Sequence, residues 1–403
     1  MRLLLVTDSD LSEGTPVGGA ETSLLLLARS LVAEGHRVTV LFSHDRRTIN
    51  PLPSVAAVDG VRNVGLRAEP RSGTSLVLRV LVRVGLHRRS RQFVIRMLVA
   101  RTDAIYSDYR LKAMEWIADA RTRSRRPAPW VVRMAGLYPV VVCAERPERR
   151  QRYAAAFAQV TALNFLHPAS QRLFETRSAS VGLELPTSRS FVWDIGSAAD
   201  VVEAVDRPLR DGPLRLVMVG RFSVYQKRQD LLVEALARVR CDATLTFIGQ
   251  GPRRAAIEAA AVRHGVRDRV EFLDQVAQGE LWDLLGGFDL HCVATDFEGI
   301  GKAILESMAV GLPVLVSRVA PLDELITDEV DGFLVDNDPA SWAEAIDRSD
   351  QDRAALNGVV GAARAMVRDR FDPGRRVREF VEIVQHIEDP DAAPRTSAAE
   401  GSE

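Results

Sequence analysis

The chain has 403 residues, 46% hydrophobic and 27% charged, with a formal net charge of −1. That length exceeds one ordinary core and fits two domains of about 200 residues, and the near-zero charge argues against nucleic acid as a partner. Three cysteines (Cys143, Cys241, Cys292) and seven scattered histidines show no metal-ligand spacing, so neither a metal nor a disulfide framework is expected and a reducing cytoplasm fits.

The opening run MRLLLVTDSD is broken at Asp8, which makes it too short for a signal-peptide core. No stretch supplies the roughly 18 apolar residues that would span a bilayer. Arg2 to Thr7 reads as a buried strand, Val17-Gly18-Gly19-Ala20-Glu21 as a glycine turn, and Ser23 to Glu34 as an amphipathic helix stopped by Gly35. Arg37 to Phe42 reads as the next strand. Between Arg67 and Arg101 stand nine arginines and one acidic residue, Glu69. Within it, Ser75 to Gly85 and Gln92 to Ala100 have the pattern of basic amphipathic helices. These either lie on an anionic membrane, making the protein peripheral at the inner membrane surface, or form a surface pair with solvated arginines.

Ser190 to Pro213, with two prolines, two glycines and four aspartates, reads as a linker region. The strand–helix grammar then restarts. Strands are expected at Leu214–Val219, Ala243–Ile248, Val270–Leu273, Leu290–Ala294 and Pro313–Ser317. Helices are expected at Gln229–Val239, Arg254–His264, Glu280–Gly286, from Ala303, and around Ser341–Asp347. Asp372-Pro373-Gly374 signals a chain reversal before a helix at Arg375–Ile387. Alternating strands and helices predict parallel sheets covered on both faces. The expected architecture is two doubly wound Rossmann-like α/β domains, 1–195 and 214–370, joined by 196–213. A helix over 371–388 should cross back to the first domain, and 389–403 is too polar to order.

Lysine is nearly absent: 50 of the 53 basic residues are arginine, and the lysines are Lys112, Lys227 and Lys302. Where replaceable lysines have become arginine, a survivor marks a place where a compact ammonium is needed. Lys227 follows the strand-ending Gly220-Arg221, and Lys302 closes the glycine-spaced turn Glu298-Gly299-Ile300-Gly301-Lys302. Ligands bind open α/β sheets beyond the carboxyl ends of their strands. Gly18-Gly19, Gly220-Arg221 and Gly299 to Lys302 all fall there. Glycines let backbone amides approach an anion, and a helix N-terminus favours phosphate. Glu306 falls in the apolar segment Ala303 to Ala309, two turns beyond Glu298 if the path is helical. It is either a solvated side chain or a buried one that needs a hydroxyl partner.

The strings FEGIGKAILESMAVGLPVLVS (Phe297 to Ser317) and VGRFSVYQKRQDLLVEALARV (Val219 to Val239) resemble the signature of family 4 glycosyltransferases, retaining enzymes of the GT-B fold. FIGQGPRRAAIE, DGFLVDNDPASWAEAI and VGGAETSLLLLARSLVAEGHRVTVLF fit the same pattern, so the resemblance covers nearly all of 1–45 and 214–388. It implies two domains facing a cleft. Arg221 and Lys227 would grip the diphosphate of a nucleotide-sugar donor, and Glu298 would hold sugar hydroxyls. Glu306 would hold the ribose, Gly220 and the amides of Gly299, Ile300, Gly301 and Lys302 would line the phosphate site, and Val276 would sit by the base. Gly18 and Gly19 would face the diphosphate or the acceptor. The sequence departs from the pattern at Val131 to Leu137, where relatives carry a His-Gly pair; Arg133 or Gly136 takes that place on the acceptor side.

The expectation is therefore a retaining, metal-independent hexosyltransferase with no cofactor beyond its nucleotide-sugar co-substrate. The acceptor would be a small molecule, a glycan or a lipid-linked compound, in glycoconjugate, polysaccharide or glycosylated-metabolite synthesis. A nucleotide-sugar epimerase of the same fold would need further acid–base groups in the N-terminal half, and none assemble. A phosphorylase would need a lysine for pyridoxal phosphate, and Lys227 and Lys302 are better placed at phosphate.

Overall fold

The computed structural model describes residues 1–11, 19–44, 60–67, 86–124, 126–185, 189–196, 211–222, 226–276 and 278–388. Residue Gly18, the expected helix Ser75–Gly85 and the polar tail from 389 lie outside them. The chain divides into two units: Met1–Ile195 together with everything from Pro373 onward, and the intervening Gly196–Asp372.

The first unit is built on seven strands, β1 (Arg2–Asp10), β2 (Arg37–His44), β3 (Val61–Arg67), β4 (Ala104–Asp108), β5 (Trp130–Met134), β6 (Ala162–Phe165) and β7 (Ser190–Val192). They are parallel, in the order β3-β2-β1-β4-β5-β6-β7. β7 occupies the start of the segment read above as linker. Both faces are covered, which is why β1 is an unbroken apolar run. Its side chains alternate between two cores: Leu4 and Val6 join Trp116, Trp130 and Phe157 on one face. Leu3 and Leu5 join Phe42, Trp193 and Phe380 on the other. Helix Gly19–Ala33 buries Leu24, Leu27, Ala28 and Leu31 along one stripe of helical period.

The C-terminal helix Pro373–His386 belongs to this unit, and its Val377, Phe380, Val381 and Val384 complete the second core. Phe380 lies against Trp193 (ring centroids 4.7 Å) and edge-on to Tyr106 (5.1 Å). Trp193 donates its indole N–H to the Arg376 carbonyl at 2.7 Å. Each such aromatic contributes about 2–3 kcal/mol of transfer free energy on burial.

The second unit carries six parallel strands, β8 (Leu214–Val219), β9 (Ala243–Ile248), β10 (Val270–Leu273), β11 (Leu290–Val293), β12 (Val314–Ser317) and β13 (Phe333–Val335), in the order β10-β9-β8-β11-β12-β13. Chain order reverses between β8 and β11 here, and between β1 and β4 in the first unit. Such switch points open a crevice at the carboxyl ends of the strands.

Candidate functional site

At the β8/β11 switch point two loops are zipped together. Lys227 bridges antiparallel to Thr295, the Arg228 amide donates to the Ala294 carbonyl (3.0 Å), and the Asp296 amide donates to the Gln226 carbonyl (3.0 Å). Thr295 is anchored in turn by its hydroxyl to the Phe297 carbonyl (2.8 Å) and by its amide to the Ser317 hydroxyl (2.9 Å). This lattice delivers the Lys227 ammonium to the Glu298 carboxylate, and the two form an ion pair, their side chains 13% and 8% exposed. The residues expected to grip the diphosphate and the sugar separately are thus one unit. Arg221 stands exposed on the β8 loop, its carbonyl held by the Gln229 amide group at 3.1 Å.

Downstream, Gly301 adopts a left-handed conformation (φ 67°), and a β-carbon there would meet Ile304 Cδ1 at 2.6 Å. The helix Lys302–Ala309 begins only after it. Glu306 is therefore one turn into the helix, not two turns of continuous helix from Glu298, and it is buried at 7% exposure. Ile300 is buried, while Gly299, Lys302 and Val276 are half-buried around the same sheet edge.

Three residues that frame this site were not singled out from sequence. His291, fully buried in β11, accepts from the Val219 amide at Nε2 (3.3 Å) and lies 2.7 Å from the Ser307 hydroxyl at Nδ1. Accepting at Nε2 places the proton on Nδ1, which donates to Ser307. Burial, aided by the charge of Lys227, pushes its pKa down to about 3, so the ring is neutral. It ties the end of β8 to the helix that follows Gly301. Gly249 (φ 152°) and Gly251 (φ 156°) let the β9 loop run against the β8 loop; a β-carbon on either would strike the carbonyl of Gly220 or Phe222. The Phe222 amide donates to the Gln250 carbonyl at 3.0 Å across this contact.

In the first unit the β1/β4 switch point holds a charge cluster. Arg110 pairs with Glu21 at 2.7 Å and Asp8 at 3.5 Å, with Asp108 at 3.9 Å. Burial pushes Asp108 up to about 7 despite Arg110. For Glu21 burial is outweighed by Arg110 and by the Ser9 hydroxyl, which donates at 2.5 Å, and the pKa falls to about 2. Gly19 is the exposed first residue of its helix. Arg133 is buried and donates to Ser23 Oγ (3.1 Å) and Asp194 (3.5 Å), so it holds that helix start to the sheet. Gly136, half-buried, lies beside the Tyr109 hydroxyl, 3.7 Å from where its β-carbon would be. Among the described residues no cluster of three or more histidine, cysteine or acidic side chains could hold a metal ion, and no helix is long and apolar enough to cross a membrane.

Two doubly wound parallel sheets, each with a crevice at its switch point, define the GT-B class of architecture. Residues 213–352 match the glycosyl transferases group 1 family. Over 250 residues, 60% of each chain, the sequence is 28% identical to the amylovoran biosynthesis glycosyltransferase AmsK of Erwinia amylovora. Over 163 residues, 39% of each chain, it is 32% identical to the D-inositol 3-phosphate glycosyltransferase of Xylanimonas cellulosilytica. The chain thus spans 60% or less of the length of these curated relatives. Anabaena Alr3699/HepE, solved with UDP and glucose, shares the fold with a TM-score of 0.72 at 19% identity, covering 96% of this chain and 99% of that one. The sucrose-phosphate synthase of Thermosynechococcus elongatus does so with a TM-score of 0.75 at 19% identity, covering 96% and 98%. The match to the group 1 glycosyltransferases lies within the second unit, and the chain as a whole has the GT-B fold.

Proposed function

We propose that the protein transfers a glycosyl group from a nucleoside-diphosphate sugar to a hydroxyl acceptor, with retention and without a divalent metal. The observation that carries this reading is the Lys227–Glu298 pair at the switch point of a group 1 glycosyltransferase domain. In the reaction the bond from the sugar carbon to the diphosphate breaks and the nucleoside diphosphate leaves with its electron pair. The acceptor oxygen bonds to the same carbon and passes its proton to an oxygen of the departing diphosphate, so that bonds and charge balance. Negative charge grows on the leaving diphosphate, where Arg221, Lys227 and the amides of Gly299 to Lys302 can meet it; such preorganised charge is worth several kcal/mol. Glu298 would orient the sugar and Glu306 the ribose, with Gly220 and Val276 lining the nucleotide.

A thermal-shift screen against free nucleoside diphosphates tests donor binding and identifies the base. Activity with the matching donor is expected to survive a strong chelator. Activity lost in chelator and restored by magnesium or manganese would refute the metal-free mechanism. A peripheral membrane site is favoured by one observation: helix Leu86–Val99 exposes Phe93 (63%), Val94 and Met97. Flotation with anionic but not zwitterionic vesicles, lost in Phe93→Ser, is the expected result.

A further inference from the structure

We propose that the cavity at the carboxyl ends of β1, β4 and β5 in the first unit seats a sugar or cyclitol ring of the acceptor, with Tyr138 as its platform and Asp8 receiving its hydroxyls. The word acceptor rests on the glycosyltransferase reading above, whereas the ring site does not. The cavity has a volume of about 490 Å³, inside the range of small-ligand sites. Its wall includes Asp8, Gln92, Glu115, Tyr138, Arg152 and Tyr153.

Tyr138 opens the helix Tyr138–Glu145 and is 48% exposed. Its ring is braced by Tyr109, the centroids 6.1 Å apart and the planes tilted by 38°, while nearly half the residue stays open. The electron-rich face of such a ring attracts polarised C–H groups, and the C–H face of a sugar presents a patch of them.

Asp8 supplies the polar counterpart. Three carboxylates share Arg110, and two of them are already held by short bonds. Glu21 accepts from Arg110 at 2.7 Å and from the Ser9 hydroxyl at 2.5 Å. Asp108 accepts from the Thr7 hydroxyl at 2.6 Å and from the Arg110 amide at 3.0 Å. Asp8 has only the Arg110 guanidinium at 3.5 Å among the described residues, longer than a well-formed charge-assisted bond. Its side chain is 20% exposed, so it is largely drawn out of water with accepting capacity to spare. Burial pushes its pKa up against the pull of Arg110.

Two further lining atoms are in the same condition. Gln92 Oε1 and the Tyr153 hydroxyl are buried and close no hydrogen bond among the described residues, the phenol lying beside the Leu111 amide. Glu115, by contrast, is occupied by a two-pronged ion pair from Arg152 (2.6 and 2.8 Å). An open aromatic face with two acceptors and a phenol donor around it suits ring hydroxyls, each of which both donates and accepts. Buried polar groups without partners cost free energy that a hydroxylated ligand recovers.

The test uses the full chain and saturation-transfer NMR with the methyl glycosides of glucose, galactose and mannose and with myo-inositol. At least one is expected to bind, with its ring C–H protons the most strongly saturated. Tyr138→Ala, a change at an exposed side chain, should weaken that binding about tenfold, and Tyr138→Phe should retain it. Asp8→Asn should weaken it about tenfold as well. The affinity of all three variants for nucleoside diphosphate should stay at the wild-type value. If none of the four probes binds, whether or not glucose 6-phosphate does, the proposal is overturned. Equal binding by wild type and Tyr138→Ala overturns it too. Failure of nucleoside diphosphate to bind, with a ring still bound, would instead count against the donor reading and leave the ring site standing.

Discussion

Lys227 and Glu298 are each almost withdrawn from solvent, so removing one leaves the other as a desolvated charge, at a cost of about 3–5 kcal/mol for a fully buried pair and less here. Lys227→Ala is therefore expected to lower stability as well as turnover. The double variant Lys227→Met with Glu298→Gln should regain stability in urea melts but not turnover. If the double variant turns over like wild type, the pair has no part in catalysis. Arg221→Ala, at an exposed position, should leave the melt within about 0.5 kcal/mol and lower turnover 10²–10³-fold, the scale for losing one transition-state contact. His291 yields a pH prediction. Its pKa is about 3 folded against about 6.5 unfolded, so between those values the unfolded chain binds the extra proton. The stabilisation is complete above pH 6.5 and is lost as pH falls toward 3, with a slope of up to about 1.4 kcal/mol per pH unit. Stability melts of the second unit from pH 7 to 4.5 should show that fall, and His291→Gln should flatten it; parallel curves would show that His291 is not the titrating group. At this scale the sequence exposes charges on glycine turns, because anion sites need them. It hides His291, whose neighbours Leu290, Cys292 and Val293 make the strand look uniformly apolar.

Loops at the sheet edge are held by backbone against backbone, and that is where substitution should be most telling. Gly249→Ala puts a methyl group into the Gly220 carbonyl, so the β8 loop bearing Arg221 must move. A loss of about 2–4 kcal/mol and weaker nucleotide binding are expected. Gly361→Ala, in open space within a helix, should be neutral or stabilising by up to about 1 kcal/mol. Similar melts and similar titrations for the two variants would mean the contact is not tight. Elements in the second unit were the most legible ones. Leu214–Val219, Ala243–Ile248 and Val270–Leu273 are strands with the bounds read from sequence, since a strand buried on both faces is an apolar run cut off by polar turns. Helix ends were harder. Pro339–Gln351 starts two residues before the expected Ser341 because Asp338 caps it, accepting from the amides of Ala340 (2.9 Å) and Ser341 (3.0 Å). Glu306 was placed two turns beyond Glu298 on the condition of a helical path, and the left-handed Gly301 breaks that path, leaving Glu306 one turn into the helix. In the first unit, the Asp8–Glu21–Asp108–Arg110 cluster draws on β1, a helix start and the end of β4. No local spacing announces it.

Over the whole molecule, the aromatic core of the first unit depends on a helix nearly two hundred residues away. Tyr106, Trp193 and Phe380 meet in it, and Arg376 caps it by donating to the Asp194 carbonyl at 2.8 Å. Phe380→Ala should cost about 3–5 kcal/mol. Truncation after Asp372 should unfold the first unit, seen as a red shift of tryptophan emission, while the segment Gly196–Asp372 expressed alone still melts cooperatively. A truncated chain with a native first unit would show the helix to be dispensable. The same connectivity sets an order of events on the ribosome. Domains made first usually fold first, but here the first unit cannot close its core until Phe380 emerges, after the second unit has been synthesised in full. The nascent N-terminal half must wait with a face of its sheet uncovered, so the half that begins the chain is the last to be finished. Chaperone engagement should therefore be concentrated on that half, and a pause in translation near its end would lengthen the exposure without helping it fold.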